Sequence, residues 1–156
     1  MSGGLMDGKR GLVMGVANDK SIAWGIAQAC HEQGAGLAFT YQGEALGKRV
    51  QPLAASVGCD IVLPCDVTDA ASLDSVFATL AERWGGLDFL VHAIGFSDKN
   101  ELRGSYTAMT TPANFTQTML VSVYSFTAAA QRAEKLMPNG GSLLTLTYYG
   151  AEKVMP

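Results

Sequence analysis

The sequence predicts an α/β fold, a parallel sheet wound on both faces by helices. Three observations carry this. Short apolar runs alternate with stretches of helical periodicity, in the order β-α-β-α-β-α-β-α-β. The apolar runs lack polar alternation, the pattern of strands buried on both faces. The chain has 156 residues, the size of one domain, and its 48% hydrophobic content suffices for a core.

The first run, residues 11–15, stops at Gly15. Ile22, Ile26, Ala29 and Cys30 then fall on one helical face, so 21–32 is read as a helix, capped by Ser21 and stopped by Gly34. Residues 36–41 are a second strand. Val50, Leu53, Ala54 and Val57 mark a helix that begins just before Pro52 or kinks there. Residues 60–64 are a third strand. Leu73, Val76, Phe77, Leu80 and Trp84 give the clearest helical spacing in the chain. A fourth strand, 89–93, leads into a polar, glycine-containing loop over 95–111. One long helix spans 113–137, and 142–147 form a fifth strand. This order is that of a Rossmann-type sheet.

Composition excludes several classes. Charged residues are 16% and the net charge is -3, so neither a disordered chain nor a basic nucleic-acid surface is expected. Cys30, Cys59 and Cys65 show no CxxC spacing, and the histidines are His31 and His92 alone. A disulfide framework and a structural metal site are therefore not expected. No secretory leader is visible, and no run approaches a membrane span. The expected setting is a soluble, cytoplasmic one, with no nucleic-acid or membrane partner.

In such sheets ligands bind beyond the carboxyl ends of the strands, so the strand ends are read as chemistry. After the first strand, Gly15 permits a close backbone approach. The helix that follows offers free N–H groups to a pyrophosphate, and Ser21 adds a hydroxyl. Gly25 leaves room for helix-to-strand packing. This is not the usual GxGxxG, and taken alone it reads better as a plain structural turn. Gln42 ends the second strand where an acid usually binds the adenosine ribose; its neutral amide favours NADH. Lys48 and Arg49 keep NADPH open. Asp66 is placed to accept from an adenine amino group with Val67 on the ring, while capping of the next helix by Asp66 or Thr68 is the plain structural alternative. Ala93 and Gly95 permit backbone approach and Ile94 supplies an apolar contact; His92 reads as a satisfied core histidine. Tyr148 and Tyr149 follow the fifth strand, where they either line a pocket, donate a phenolic proton or simply pack.

Together, GVANDKSIAWGIA, FTYQGE, CDV, VHAIGF and LTLTYYGAEKVMP resemble the bacterial enoyl-acyl-carrier-protein reductases, within the short-chain dehydrogenase/reductase superfamily. Ordinary ketoreductases of that superfamily carry a denser glycine motif, an Asn-Ala-Gly in place of His-Ala-Ile-Gly, and a serine near the fifth strand's end. The resemblance implies NADH-dependent reduction of the trans-2 double bond of enoyl thioesters in fatty-acid biosynthesis, by a homotetramer. It implies cofactor-binding positions at Gly15, Ser21, Ile22, Gln42, Asp66, Val67 and Ile94. Ser97 matches a substrate-side position, and Tyr148 the first of two active-site tyrosines. The second tyrosine and its lysine would lie beyond Pro156, so residues 1–156 are expected to be one dinucleotide-binding domain, incomplete on its C-terminal side. Lys153 precedes that tyrosine and does not replace the lysine. The small residues Ser122, Ser125, Ala128, Ala129, Ala130 and Ala133 either pack on the chain's own sheet or, as in the superfamily, meet another subunit. A carbonyl reductase and a non-catalytic nucleotide-binding module are the competing readings.

Overall fold

A computed structural model describes residues 3–153. The elements run β1 (Arg10–Met14), α1 (Ile22–Glu32), β2 (Gly36–Tyr41), α2 (Gly43–Ser56), β3 (Val62–Pro64), α3 (Ala70–Trp84) and β4 (Phe89–His92). They continue through α4 (Tyr106–Met109), α5 (Pro112–Met119), α6 (Ser125–Ala133) and β5 (Ser142–Thr145). A π-helical turn, Leu120–Tyr124, joins α5 to α6. Short 3-10 turns follow at Glu134–Leu136 and Tyr149–Ala151.

All strands are parallel, in the order β3-β2-β1-β4-β5. The chain winds outward from β1 to β3, then crosses back to place β4 on the other side of β1. The switch point between β1 and β4 opens a crevice at their carboxyl ends. This is the Rossmann-type sheet expected from the sequence.

β1, β2 and β4 each feed two cores, which explains their unbroken apolar runs. Leu12, Met14, Ala38 and Leu90 point to one face, against Leu73, Val76, Phe77 and Leu80 of α3 and Ala128, Ala129 and Ala133 of α6. Val13, Leu37, Phe39 and Val91 point to the other, against Ala23, Trp24 and Ala27 of α1 and Val50 and Ala54 of α2. Alternate residues along one strand thus serve opposite layers. The small residues of α6 let that helix lie close on the sheet. Of the two readings of those residues, packing on the chain's own sheet is the one seen for Ser125, Ala128, Ala129 and Ala133.

Several boundaries differ from expectation. α2 begins at Gly43 and runs through Pro52. Pro52 lies on the exposed face, where water can take the carbonyl that its missing N–H leaves free. β3 is shorter than predicted, and Asp60, ahead of it, pairs with Arg83 of α3. Neither Asp66 nor Thr68 caps α3; Asp69 does, accepting from the Ala71 amide. The single helix expected over 113–137 is α5, the π turn, α6 and a 3-10 turn in succession. α5 starts at Pro112 under a Thr111 cap. The 95–111 loop contains α4. Gly25 is exposed, and a Cβ there would meet nothing, so it does not serve helix-to-strand packing. Every residue of β5 is exposed, Leu143 and Leu144 included. Among the described residues no helix is long and apolar enough to cross a membrane.

Candidate functional site

A cleft of about 350 Å³ opens at the switch point. Gly15, Val16 and Ala17 after β1, Thr40 to Gln42 at the end of β2, and Cys65 to Val67 after β3 line one part of it. Ala93 to Phe96 after β4 line another, and Leu46, Gln117 and Val121 come from helices. Gly15, Gln42, Asp66, Val67 and Ile94 are thus brought together from four strand ends, as the sequence predicts. Gly15 has φ of 102°, and a Cβ there would strike the Ala93 carbonyl. The close approach of β1 and β4 that opens the crevice therefore requires glycine.

Asp66 and Gln42 meet at the cleft. The Gln42 Nε2 donates to Asp66 Oδ2 at 3.1 Å. The other carboxylate oxygen accepts from the Thr68 amide at 2.9 Å and its hydroxyl at 2.7 Å. These bonds, the Thr68 hydroxyl foremost, hold the Asp66 carboxyl below its ordinary pKa, so it is an anionic acceptor. Beside it, burial pushes the Cys65 thiol up to about 11, which leaves that wall uncharged and unreactive.

Ser21 and Ile22 lie outside the lining. Ser21 stands at the N-cap of α1, but its Oγ accepts from the amides of Ala17 and Asn18, each at 3.0 Å. It shapes the loop that carries Ala17 into the cleft. The amides of Ile22 and Ala23 lie outside the hydrogen bonding of the helix, at the positive end of its dipole. The Ile22 side chain is exposed.

The segment after β4 is clamped to the α5 side. Ser122 Oγ, on the π turn, accepts from the Phe96 amide at 3.0 Å and lies 3.3 Å from its carbonyl. Ser97 Oγ accepts from Asn114 Nδ2 at 3.1 Å and Thr118 Oγ1 at 3.0 Å, so its own proton is left to donate. Ser97 is not part of the cleft wall, and neither is Tyr148, which is 67% exposed beyond β5. Lys153 lies over the Tyr149 ring, its Nζ 5.9 Å from the centroid. His92 is 1% exposed, with both ring nitrogens facing hydroxyls: Ser125 at 2.7 Å and Thr145 at 3.3 Å. It is the satisfied core histidine expected.

A family model described as enoyl-(acyl carrier protein) reductase matches residues 15–156. The chain belongs to the enoyl-acyl-carrier-protein reductase family. It is 65% identical over 153 residues to enoyl-[acyl-carrier-protein] reductase [NADH] 2 of Rhizobium meliloti, covering 98% of this chain and 57% of that protein. A crystal structure of the reductase from Anaplasma phagocytophilum in complex with NAD superposes with a TM-score of 0.94 at 59% identity, over 99% of this chain and 59% of that one. The Bacillus cereus enoyl-acyl carrier protein reductase, solved with NADP+ and an indole naphthyridinone, superposes at 0.93 with 42% identity, over 97% of this chain and 60% of that one. The chain spans less than two thirds of the length of each of these relatives.

In this member of the enoyl-acyl-carrier-protein reductase family, the helical side of the cleft is not marked by the strand-end pattern. Leu46 sits in the first turns of α2, ahead of the start that Pro52 suggests. Gln117 and Val121 are four apart, one helical step, and that spacing was available as a signal. Nothing in the pattern marked the π turn that directs Val121 into the wall.

Proposed function

We propose that the protein reduces the trans-2 double bond of enoyl-acyl-carrier-protein thioesters with NADH, in fatty-acid biosynthesis, and that residues 1–156 are its dinucleotide-binding domain. The observation that carries this reading is the cleft at the β1/β4 switch point, where Gly15, Gln42, Asp66, Val67 and Ile94 converge. Family membership supports the chemistry.

The residues present fit the cofactor. The cradle at Gly15 is one a Cβ would fill, and the start of α1 presents free amides suited to a pyrophosphate. The anionic Asp66 suits an adenine amino donor, with Val67 against the ring. Gln42 gives one N–H to Asp66 and keeps its carbonyl for a ribose hydroxyl. The neutral Gln42 favours NADH, and Lys48, paired with Glu44 at 2.8 Å, has its charge already matched. NADPH remains the alternative to test.

When bound, the nicotinamide supplies a hydride to the β-carbon. This chain's residues hold the dinucleotide and orient it. Ile94 and Phe96 supply an apolar wall on the β4 side. As charge grows on the thioester oxygen, a donor must stand beside it, and Tyr148 is the candidate phenol carried by this chain. Ser97, with its proton uncommitted, is the candidate substrate-side contact. Ser21 and Ile22 act through the loop and the amides at the start of α1. The exposed stripe Phe115, Met119 and Val123, spaced by single helical steps, supports association between copies of the chain; that the assembly is a homotetramer and cytoplasmic rests on the family resemblance.

The test is turnover by the intact protein of a crotonyl thioester against a 3-ketoacyl thioester, with NADH and then NADPH. Preferential NADH oxidation with crotonyl thioester is expected. Preference for the ketoacyl thioester would make it a carbonyl reductase. NADH binding without either turnover would make it a nucleotide-binding module.

A further inference from the structure

The proton positions around His92 follow from its partners. Ser125 Oγ lies 2.6 Å from the Val121 carbonyl and 2.7 Å from His92 Nε2. A carbonyl only accepts, so the single Ser125 hydroxyl proton goes to Val121. Ser125 must then accept from His92, which puts a proton on Nε2. The ring is buried among apolar groups, with the Phe126 ring centroid 5.6 Å away, and this favours the neutral form. Its Nδ1 is therefore a lone pair, and the Thr145 hydroxyl, 3.3 Å away, is the donor facing it. Every proton in the chain Thr145, His92, Ser125, Val121 points the same way.

The two ends of this chain are the informative part. Thr145 is the last residue of β5, three before Tyr148. Val121 lines the cleft. Four residues on, α6 begins with Ser125; one residue on, the π turn holds Ser122, which grips Phe96 beyond β4. The π turn and the first residue of α6 are thus fastened to one strand and its continuation, Ser125 at His92 and Ser122 at Phe96. An apolar ring at position 92 would fill the space with no hydroxyl left to satisfy, so filling the core does not account for a histidine here.

We propose that His92 is a positioning residue, an Nε2-protonated imidazole whose one-way relay from Thr145 to the Val121 carbonyl holds the end of β5 and the wall of the cleft in one register. This rests on the reading of the cleft and Tyr148 given above. The relay sets where the Tyr148 side stands relative to a dinucleotide, so its loss falls on kcat more than on cofactor affinity.

The proton assignment is tested in the intact protein by nitrogen-15 NMR of labelled histidine. A proton on Nε2 and none on Nδ1 is expected; the opposite tautomer overturns the proposal. Kinetics test the role. His92→Phe is expected to lower kcat about tenfold with KM for NADH within about threefold, and His92→Gln, which keeps a side-chain N–H toward Ser125, to recover most of it. Unchanged kcat in His92→Phe, or no recovery in His92→Gln, overturns it. Should His92→Phe fail to fold, Thr145→Val removes only the exposed first donor. It is expected to lower kcat about threefold without a matching fall in melting temperature. Wild-type kcat in Thr145→Val overturns the relay. If the unaltered protein turns over no enoyl thioester, the functional reading fails by itself. The relay is then decided by amide exchange over residues 121–125 in Thr145→Val, where faster exchange supports it and unchanged exchange refutes it.

Discussion

The Gln42 side chain donates to the Asp66 carboxylate across 3.1 Å, tying the end of β2 to the turn after β3 at the edge of the cleft. One link therefore fixes both groups proposed to meet the adenosine half of a dinucleotide. Asp66→Asn keeps the shape but loses the anionic acceptor. NADH affinity of the intact protein is expected to fall about tenfold, roughly the worth of one hydrogen bond to a charged group. The residue is half-buried and an amide oxygen can keep the Thr68 bonds, so only the Gln42 bond is lost and the melting temperature should fall slightly. A fluorescence titration showing unaltered affinity would leave Asp66 as a turn residue only.

Gly15→Ala tests the cradle. The added methyl meets the Ala93 carbonyl, and φ of 102° is unfavourable for any side chain. A loss of about 2–4 kcal/mol in denaturant unfolding is expected, together with loss of NADH binding. Wild-type stability would mean that β1 and β4 can separate here without consequence.

Gly25→Ala should do the reverse. Gly25 lies inside α1, exposed, with open space where the Cβ would go. Helix propensity alone predicts a gain of about 0.5–1 kcal/mol. A loss on denaturant unfolding would reveal a packing constraint that the isolated chain does not show.

Asp88 gives a pH dependence at the opposite end of the sheet. Its carboxylate accepts from the Arg10 amide at 2.9 Å and from Lys9 Nζ at 3.1 Å. These partners, the backbone amide first, hold its carboxyl below the ordinary value despite the opposing effect of burial. A depressed folded pKa stabilises above the unfolded pKa of about 4 and is lost as pH falls through the folded value. The wild type should lose stability below about pH 4. Asp88→Asn should be weaker at neutral pH, with the two curves converging in acid. Parallel curves in denaturant titrations would remove Asp88 from the balance.

The sheet was legible because burial on both faces imposes a composition. Leu12, Val13 and Met14 all must be apolar, since neighbours serve opposite layers. Four strand ends were legible because a crevice admits few residue types there. What escaped was set by tertiary contacts. The turn at Leu120–Tyr124 leaves no periodic trace, since Val121 and Ser125 keep the ordinary four-residue step. Asp69 outcompeted Asp66 and Thr68 as cap because those two bond each other. Gly25 has the look of a packing glycine, but only its surroundings show the open space beside it.

The central position of β1 has a consequence in time. Its register with β2 pairs Arg10 with Gly36, but its register with β4 pairs Gly11 with Phe89. The second pairing waits for a stretch of chain three times longer. At ordinary synthesis rates of about 5–20 residues per second, one flank of the first strand stays open for several seconds on the ribosome. The Ala93 carbonyl closes over Gly15 only after that wait. A nascent chain thus carries β1, β2 and the start of α1 well before it owns a cleft, and the closing of that seam is the step most exposed to error.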